Sequence, residues 1–123
     1  MKDERLYLAH ILECVARIRR YTASGFEAFY ADEMAQDATL RNLHTLAESC
    51  TRLPAALRDG RPEINWRGIG GFRNAVVHDY LHMDLREIWN IIENNLSPPA
   101  TVIADELVAA DARLAHEIEE GTP

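Results

Sequence analysis

The densest run of reactive side chains in this chain is Arg73-Asn74-Ala75-Val76-Val77-His78-Asp79-Tyr80-Leu81-His82. It places a permanent cation, an amide, an imidazole and a phenol within eight residues. Arginine suits a phosphate because its planar fork donates two parallel hydrogen bonds. Histidine suits proton transfer because its unperturbed pKa lies near neutrality. Together the two can split a phosphodiester without a metal: His78 moves a proton, and Arg73 holds the charge that develops on the phosphoryl oxygens.

Helical geometry limits how these groups can meet. Asn74 and His78 stand four residues apart and share a face. Arg73 lies about 140° from His78 around the same helix, and Tyr80 about 200°. One straight helix therefore does not gather all four. Either Arg73 reaches in from the glycine-rich helix start, or a second subunit completes the site.

The elements that must position the cluster are helices. Leu8, Ile11, Leu12, Val15 and Ile18 recur at three- and four-residue steps, which predicts a helix over 3–22. Ser24-Gly25 breaks it, and a short segment from Phe26 to Tyr30 follows. Leu40, Leu43, Ala47, Cys50 and Leu53 form the stripe of a second long helix over 32–53, ended by Pro54. Asp59-Gly60-Arg61-Pro62 reads as a loop. Gly68, Gly70 and Gly71 mark a flexible stretch before a short helix over 73–82. Asp84 is a candidate N-cap for 85–95, Ser97-Pro98-Pro99 reads as a turn, and 100–120 is a final helix. No segment alternates with period two, so no sheet is expected. The prediction is an all-α, up-and-down bundle of about five helices forming one domain over 1–123, with 98–123 as an acidic C-terminal helix.

Composition narrows the function classes. The chain has 123 residues, and 47% of them are hydrophobic, enough for one core. No run approaches the ~18 apolar residues of a membrane span, and no secretory signal follows the charged start, so a cytoplasmic protein is expected. The net charge of −7 argues against simple non-specific nucleic-acid binding. The charge is unevenly placed, however. Residues 1–83 carry 11 basic and 11 acidic side chains, and residues 84–123 carry 2 and 9. Five arginines (Arg52, Arg58, Arg61, Arg67, Arg73) stand within 52–73 against Asp59 and Glu63. The middle is basic and the tail acidic.

At the polar cluster the sequence resembles a family. Arg73-Asn74-x-x-x-His78-Asp79-Tyr80 is similar to the Arg-x4-His signature of HEPN-domain proteins, in the form carried by the HepT-like toxin ribonucleases. The likeness extends to Asp3–Ile18, to Gln36-Asp37-Ala38 with Arg41-Asn42-Leu43 and Glu48, and to Pro62-Glu63-Ile64-Asn65-Trp66-Arg67 before Gly70-Gly71. It also includes Asp84–Trp89, so it spans roughly residues 3–96. The resemblance implies a helical bundle that forms a homodimer with both motif copies facing a shared cleft. It implies metal-independent endoribonuclease activity, by attack of a ribose 2′-hydroxyl on the adjacent phosphate, with RNA as substrate and no cofactor. It also implies a partner, a minimal nucleotidyltransferase antitoxin of the MntA type, that silences the toxin by adenylylating Tyr80. Arg73, Asn74 and His78 are then the catalytic residues. Two copies about a two-fold axis would double the arginines at one groove and bring Arg73 of one toward His78 of the other. The departures are Ser49-Cys50 after Glu48 and the acidic tail after Ser97.

Two rival readings remain. One is a non-catalytic dimeric HEPN module that binds nucleotide, RNA or a partner protein. The other is a metal hydrolase using His78 and His82, whose i, i+4 spacing can bind zinc but which lacks an evident third ligand. His10, His44 and His116 are isolated. Cys14 and Cys50 fall on apolar faces and are expected as buried free thiols. Gly68-Ile69-Gly70-Gly71 lacks the Lys-Ser/Thr of a phosphate loop and reads as a close-packing or hinge element. Trp66 is expected to pack in a core or an interface. Glu48 sits beside an apolar stripe, where it pairs with an arginine or orients the active site.

Overall fold

A computed structural model of the chain describes residues 4–79 and 82–120. Among the described residues there are seven helices and no strand. They are α1 (Glu4–Tyr21), α2 (Phe26–Tyr30), α3 (Glu33–Thr51), α4 (Ala55–Asp59), α5 (Trp66–Asp79), α6 (Leu85–Asn95) and α7 (Ser97–Glu120). The all-α bundle is the one the periodicity predicts. The two elements beyond the expected five are single-turn helices, α2 and α4.

Local signals explain most boundaries. Asp32 caps α3 by accepting from the backbone N–H of Ala35, and Asp84 caps α6 by accepting from that of Arg86. Gly25, at φ 95°, opens the sharp turn into α2. Two boundaries differ from expectation. Pro98 and Pro99 form the first turn of α7 rather than a turn before it, because the N–H groups they lack have no intrahelical partner there. The glycine stretch is not a flexible approach to the motif: α5 begins at Trp66 and runs through Gly68, Gly70 and Gly71 without a break. Asn65 helps start it, its Oδ1 accepting from the Gly68 N–H at 2.9 Å.

The core forms where α1 packs against α3 and α7, and α3 against α5. Leu8, Ile11, Val15 and Ile18 of α1 meet Leu40, Leu43 and Leu46 of α3, Ile88 and Trp89 of α6 and Ile103 of α7. Burying side chains of this size contributes roughly 1.5–3 kcal/mol each. Cys14 and Cys50 are buried and free, as expected. At its far end α7 is tied to α1 by Arg5–Asp111 and Glu4–Arg113 ion pairs at 3.2 and 2.8 Å. No helix is long and apolar enough to cross a membrane among the described residues. The bundle thus fixes α5 along one side of α3, and α5 carries the polar motif.

Candidate active site

The pairing of α5 with α3 decides where Arg73 goes. Its side chain turns toward α3, where Nε donates to Glu48 Oε2 at 2.6 Å. A second donor, Nη1, reaches Asn74 Oδ1 at 3.0 Å. Glu48 is also held from its own helix by Arg52, at 3.2 Å. The hydrogen bond from Arg73 holds the Glu48 carboxyl below the usual carboxylate range, so it stays ionised at neutral pH. The guanidinium is thereby held at two of its three nitrogens. With five donors in a planar fork, it retains others for a second anion.

Asn74 and His78 share the exposed face of α5, as their spacing requires. Among the described residues His78 makes no hydrogen bond or ion pair. The structure joins Arg73 to Asn74 and leaves Arg73 and His78 without a bond between them in one chain, in keeping with their angular separation. Tyr80 lies outside the described residues. His82 is exposed beyond α5. Among the described residues no three His, Cys, Asp or Glu side chains gather to hold a metal.

A groove of about 860 Å³ opens beside Arg73 and Asn74. Glu48 and Thr51 of α3 border it, as do Arg58 of α4 and Trp66, Arg67, Gly70 and Gly71 of α5. Three arginines therefore face one hollow. Arg61 does not join them, since it is taken up by Glu106 at 2.7 Å. The Trp66 ring is fixed by its indole N–H, which donates to the Arg61 carbonyl oxygen at 3.0 Å. A second hollow of about 470 Å³ is lined by apolar side chains such as Leu43, Leu46, Ile69 and Phe72, and holds none of the motif residues.

Sequence reasoning singled out Arg73, Asn74, His78 and the arginine-rich middle, and left Glu48 between two roles. The structure gives Glu48 its arginine. Arg58 and Arg67 were not assigned to a site, because the glycines after Arg67 read as a flexible stretch. Read as helix, the same residues place Arg67, Gly70, Gly71, Asn74 and His78 at three- and four-residue steps on one face. The cysteines offer no nucleophile: burial raises the Cys14 thiol pKa and pushes that of Cys50 up to about 12.

Comparison with known proteins gives the chain a family. Residues 11–106 match the family model described as Ribonuclease HepT-like. A protein of Caldanaerobacter subterraneus subsp. tengcongensis, provisionally named RNase TTE0752, is 36% identical over 93 residues, covering 75% of this chain and 83% of that protein. A protein of Thermococcus cleftensis named as a probable ribonuclease HepT is 30% identical over 96 residues, covering 77% of this chain and 87% of that protein. A Methanocaldococcus jannaschii protein, named a gamma-glutamylcyclotransferase and, provisionally, RNase MJ0434, is 29% identical over 96 residues. That match covers 77% of this chain but 43% of the longer protein. No solved structure gives a significant match. The family match takes in the Glu48–Arg73 pair, the Asn74–His78 face and the groove beside them, and with it the chain belongs to the HepT-like ribonuclease family.

Proposed function

We propose that this protein is a metal-independent endoribonuclease toxin in which Arg73, Asn74 and His78 act on the phosphodiester. The observation that carries the reading is the Glu48–Arg73 pair, which fixes a guanidinium beside an exposed Asn74–His78 face at the edge of a groove bearing two more arginines. His78 takes the proton of the ribose 2′-hydroxyl as its oxygen bonds to phosphorus. The bond from phosphorus to the 5′ oxygen breaks, and the imidazolium returns the proton to that oxygen. A 2′,3′-cyclic phosphate and a 5′-hydroxyl result. Arg73 stabilises the charge that builds on the non-bridging oxygens, and Asn74 orients the hydroxyl or a phosphoryl oxygen. The test is cleavage of single-stranded RNA by the purified chain and by its Arg73→Ala and His78→Ala variants, both of which lose activity on this reading. A chain that binds RNA without cutting it is instead the non-catalytic module.

The working form is a homodimer. In one chain Arg73 turns to α3 while His78 faces outward, so a two-fold axis beside α5 lets one subunit's guanidinium serve the other's imidazole. Control falls to Tyr80. Two residues beyond His78, it points away from the His78 face if the helix continues. A nucleotidyltransferase partner silences the enzyme by transferring an adenylyl group: the Tyr80 oxygen bonds to the α-phosphorus of ATP and pyrophosphate leaves. The added phosphate and nucleoside then repel RNA and compete for Arg73. Mass spectrometry after incubation with the partner and ATP should find whole adenylyl units on the Tyr80 peptide of wild type and none on Tyr80→Phe. Equal modification of both would place the acceptor elsewhere.

A further inference from the structure

The Arg73–Asn74–His78 cluster accounts for one phosphate. It does not account for the rest of the groove. Arg67 is exposed and, among the described residues, has no ion-pair or hydrogen-bond partner. Arg58 is anchored through Nε to the Leu53 carbonyl oxygen at 3.2 Å, and its remaining donors are unpaired among the described residues. An anion-binding site needs guanidiniums whose charge no carboxylate takes, and Arg58 and Arg67 supply two at this rim. Arg52 and Arg61, from the same basic stretch, contrast with them, since acidic partners satisfy both.

The floor between Arg67 and Asn74 is bare backbone. A Cβ added at Gly70 or Gly71 would meet nothing within 4 Å. Packing inside the chain therefore does not call for these glycines, although each weakens the helix. Bare backbone at that point admits a chain of atoms lying close along α5. From Arg67 to His78 the helix rises roughly 16 Å, longer than a single phosphate and its two ribose oxygens.

We infer that the groove of Arg58, Arg67, Gly70 and Gly71 is a second phosphate-binding subsite, which grips the sugar–phosphate backbone of single-stranded RNA beside the scissile phosphate. This rests on the ribonuclease reading and extends it: Arg73 and His78 act on the reacting phosphate, and Arg67 and Arg58 hold the strand. The subsite contacts phosphate rather than base edges, so it supplies affinity and alignment with little sequence preference. Placing the strand along one helix face also explains how a chain of net charge −7 holds a polyanion.

The test measures binding in the His78→Ala background, so that cleavage does not intervene. A fluorescent single-stranded RNA dodecamer is titrated against the full chain at several salt concentrations. Adding Arg67→Ala should raise Kd about five- to tenfold and flatten the slope of log Kd against log salt by about 0.7, the loss of one phosphate contact on a single strand. Gly71→Ala should also weaken binding while the melting temperature holds or rises. Arg113→Ala, which removes an equal charge from the face where Arg113 pairs with Glu4, is the control and should leave Kd unchanged. Equal weakening by Arg67→Ala and Arg113→Ala would reduce the effect to net charge and overturn the subsite. An unchanged Kd with a shifted oligomeric state would overturn it too, by giving the groove to a second copy of the chain. If Arg67→Ala behaves as expected but wild type does not cut RNA, the subsite stands and the nuclease reading falls. If wild type cuts RNA and Arg67→Ala binds like its parent, only the subsite falls. If no RNA binds at all, both fall.

Discussion

Arg73 spends only part of its planar group on partners within the chain. Its Nε is committed to Glu48 and Nη1 to Asn74, and the residue borders the groove. On the proposed mechanism Glu48 is a positioning residue: it touches no reacting atom, but its bond to Nε holds the guanidinium in place. Misplacing a catalytic group by about 1 Å can cost about 100-fold in rate. Glu48→Ala is accordingly expected to lower kcat by about that factor with little change in KM. Glu48→Gln should recover part of it, because an amide oxygen still accepts from Nε. Equal, small losses in both would mean the pair is only structural. The pair also fixes a pH dependence. The folded Glu48 carboxyl titrates below its ordinary value of 4.5, so its contribution to stability is complete above that value and is lost as pH falls through the lowered pKa. The difference in melting temperature between wild type and Glu48→Gln should hold steady from pH 7 to about 4.5 and narrow below it. A gap that widens toward acid would contradict the assignment.

Helix α5 shows how a local rule yields to tertiary packing. Three glycines within four residues disfavour a helix by roughly 1 kcal/mol each, which is why the stretch reads as flexible from sequence. Packing of α5 on α3, with Val76 buried and Ile69 and Phe72 against the core, holds it helical regardless. The glycines are not equivalent. A Cβ at Gly68 would come within 2.5 Å of Asn65 Nδ2 and displace the side chain that caps the helix, whereas Gly70 and Gly71 face open space. Gly71→Ala should therefore stabilise the fold by about 1 kcal/mol. At Gly68 the same gain is offset by the loss of a cap worth about 1 kcal/mol, so Gly68→Ala should not stabilise. Equal melting temperatures for the two variants would refute this account of α5. The long amphipathic helices were legible because their stripes repeat over several turns, as in Leu8 to Ile18. The polar run stood out because its residue types suit phosphodiester chemistry and because, with Asn74, Tyr80 and the upstream Pro62–Arg67 segment, it resembles the HepT-like signature. The Arg67 rim was not, since its alignment with Asn74 and His78 exists only once the glycines are known to be helical. The Glu48–Arg73 bond spans 25 residues and depends on how α3 and α5 pack, which no local pattern encodes.

Charge divides the whole molecule. The neutral first two-thirds carry the groove arginines, and the excess acid lies beyond residue 83, where Glu106 and Asp111 bind Arg61 and Arg5 back onto the body. The exposed Arg5–Asp111 pair contributes little to stability, about 0–1 kcal/mol. The two pairs also commit Arg5 and Arg61 to acidic partners, unlike Arg58 and Arg67 at the groove. Assembly is the second property at this scale. A dimer joined beside α5 should scatter light as about twice the 13.9 kDa chain at micromolar concentration, and a monomer there would remove the shared cleft. Metal-independent cleavage through His78 is tested most directly by purified wild type and His78→Ala side by side on a single-stranded RNA, in EDTA. Wild type should cut as fast with EDTA as without it. His78→Ala, whose exposed side chain leaves no cavity when removed, should melt like wild type and not cut. Cleavage by His78→Ala at the wild-type rate, or wild-type cleavage abolished by EDTA, would contradict that mechanism.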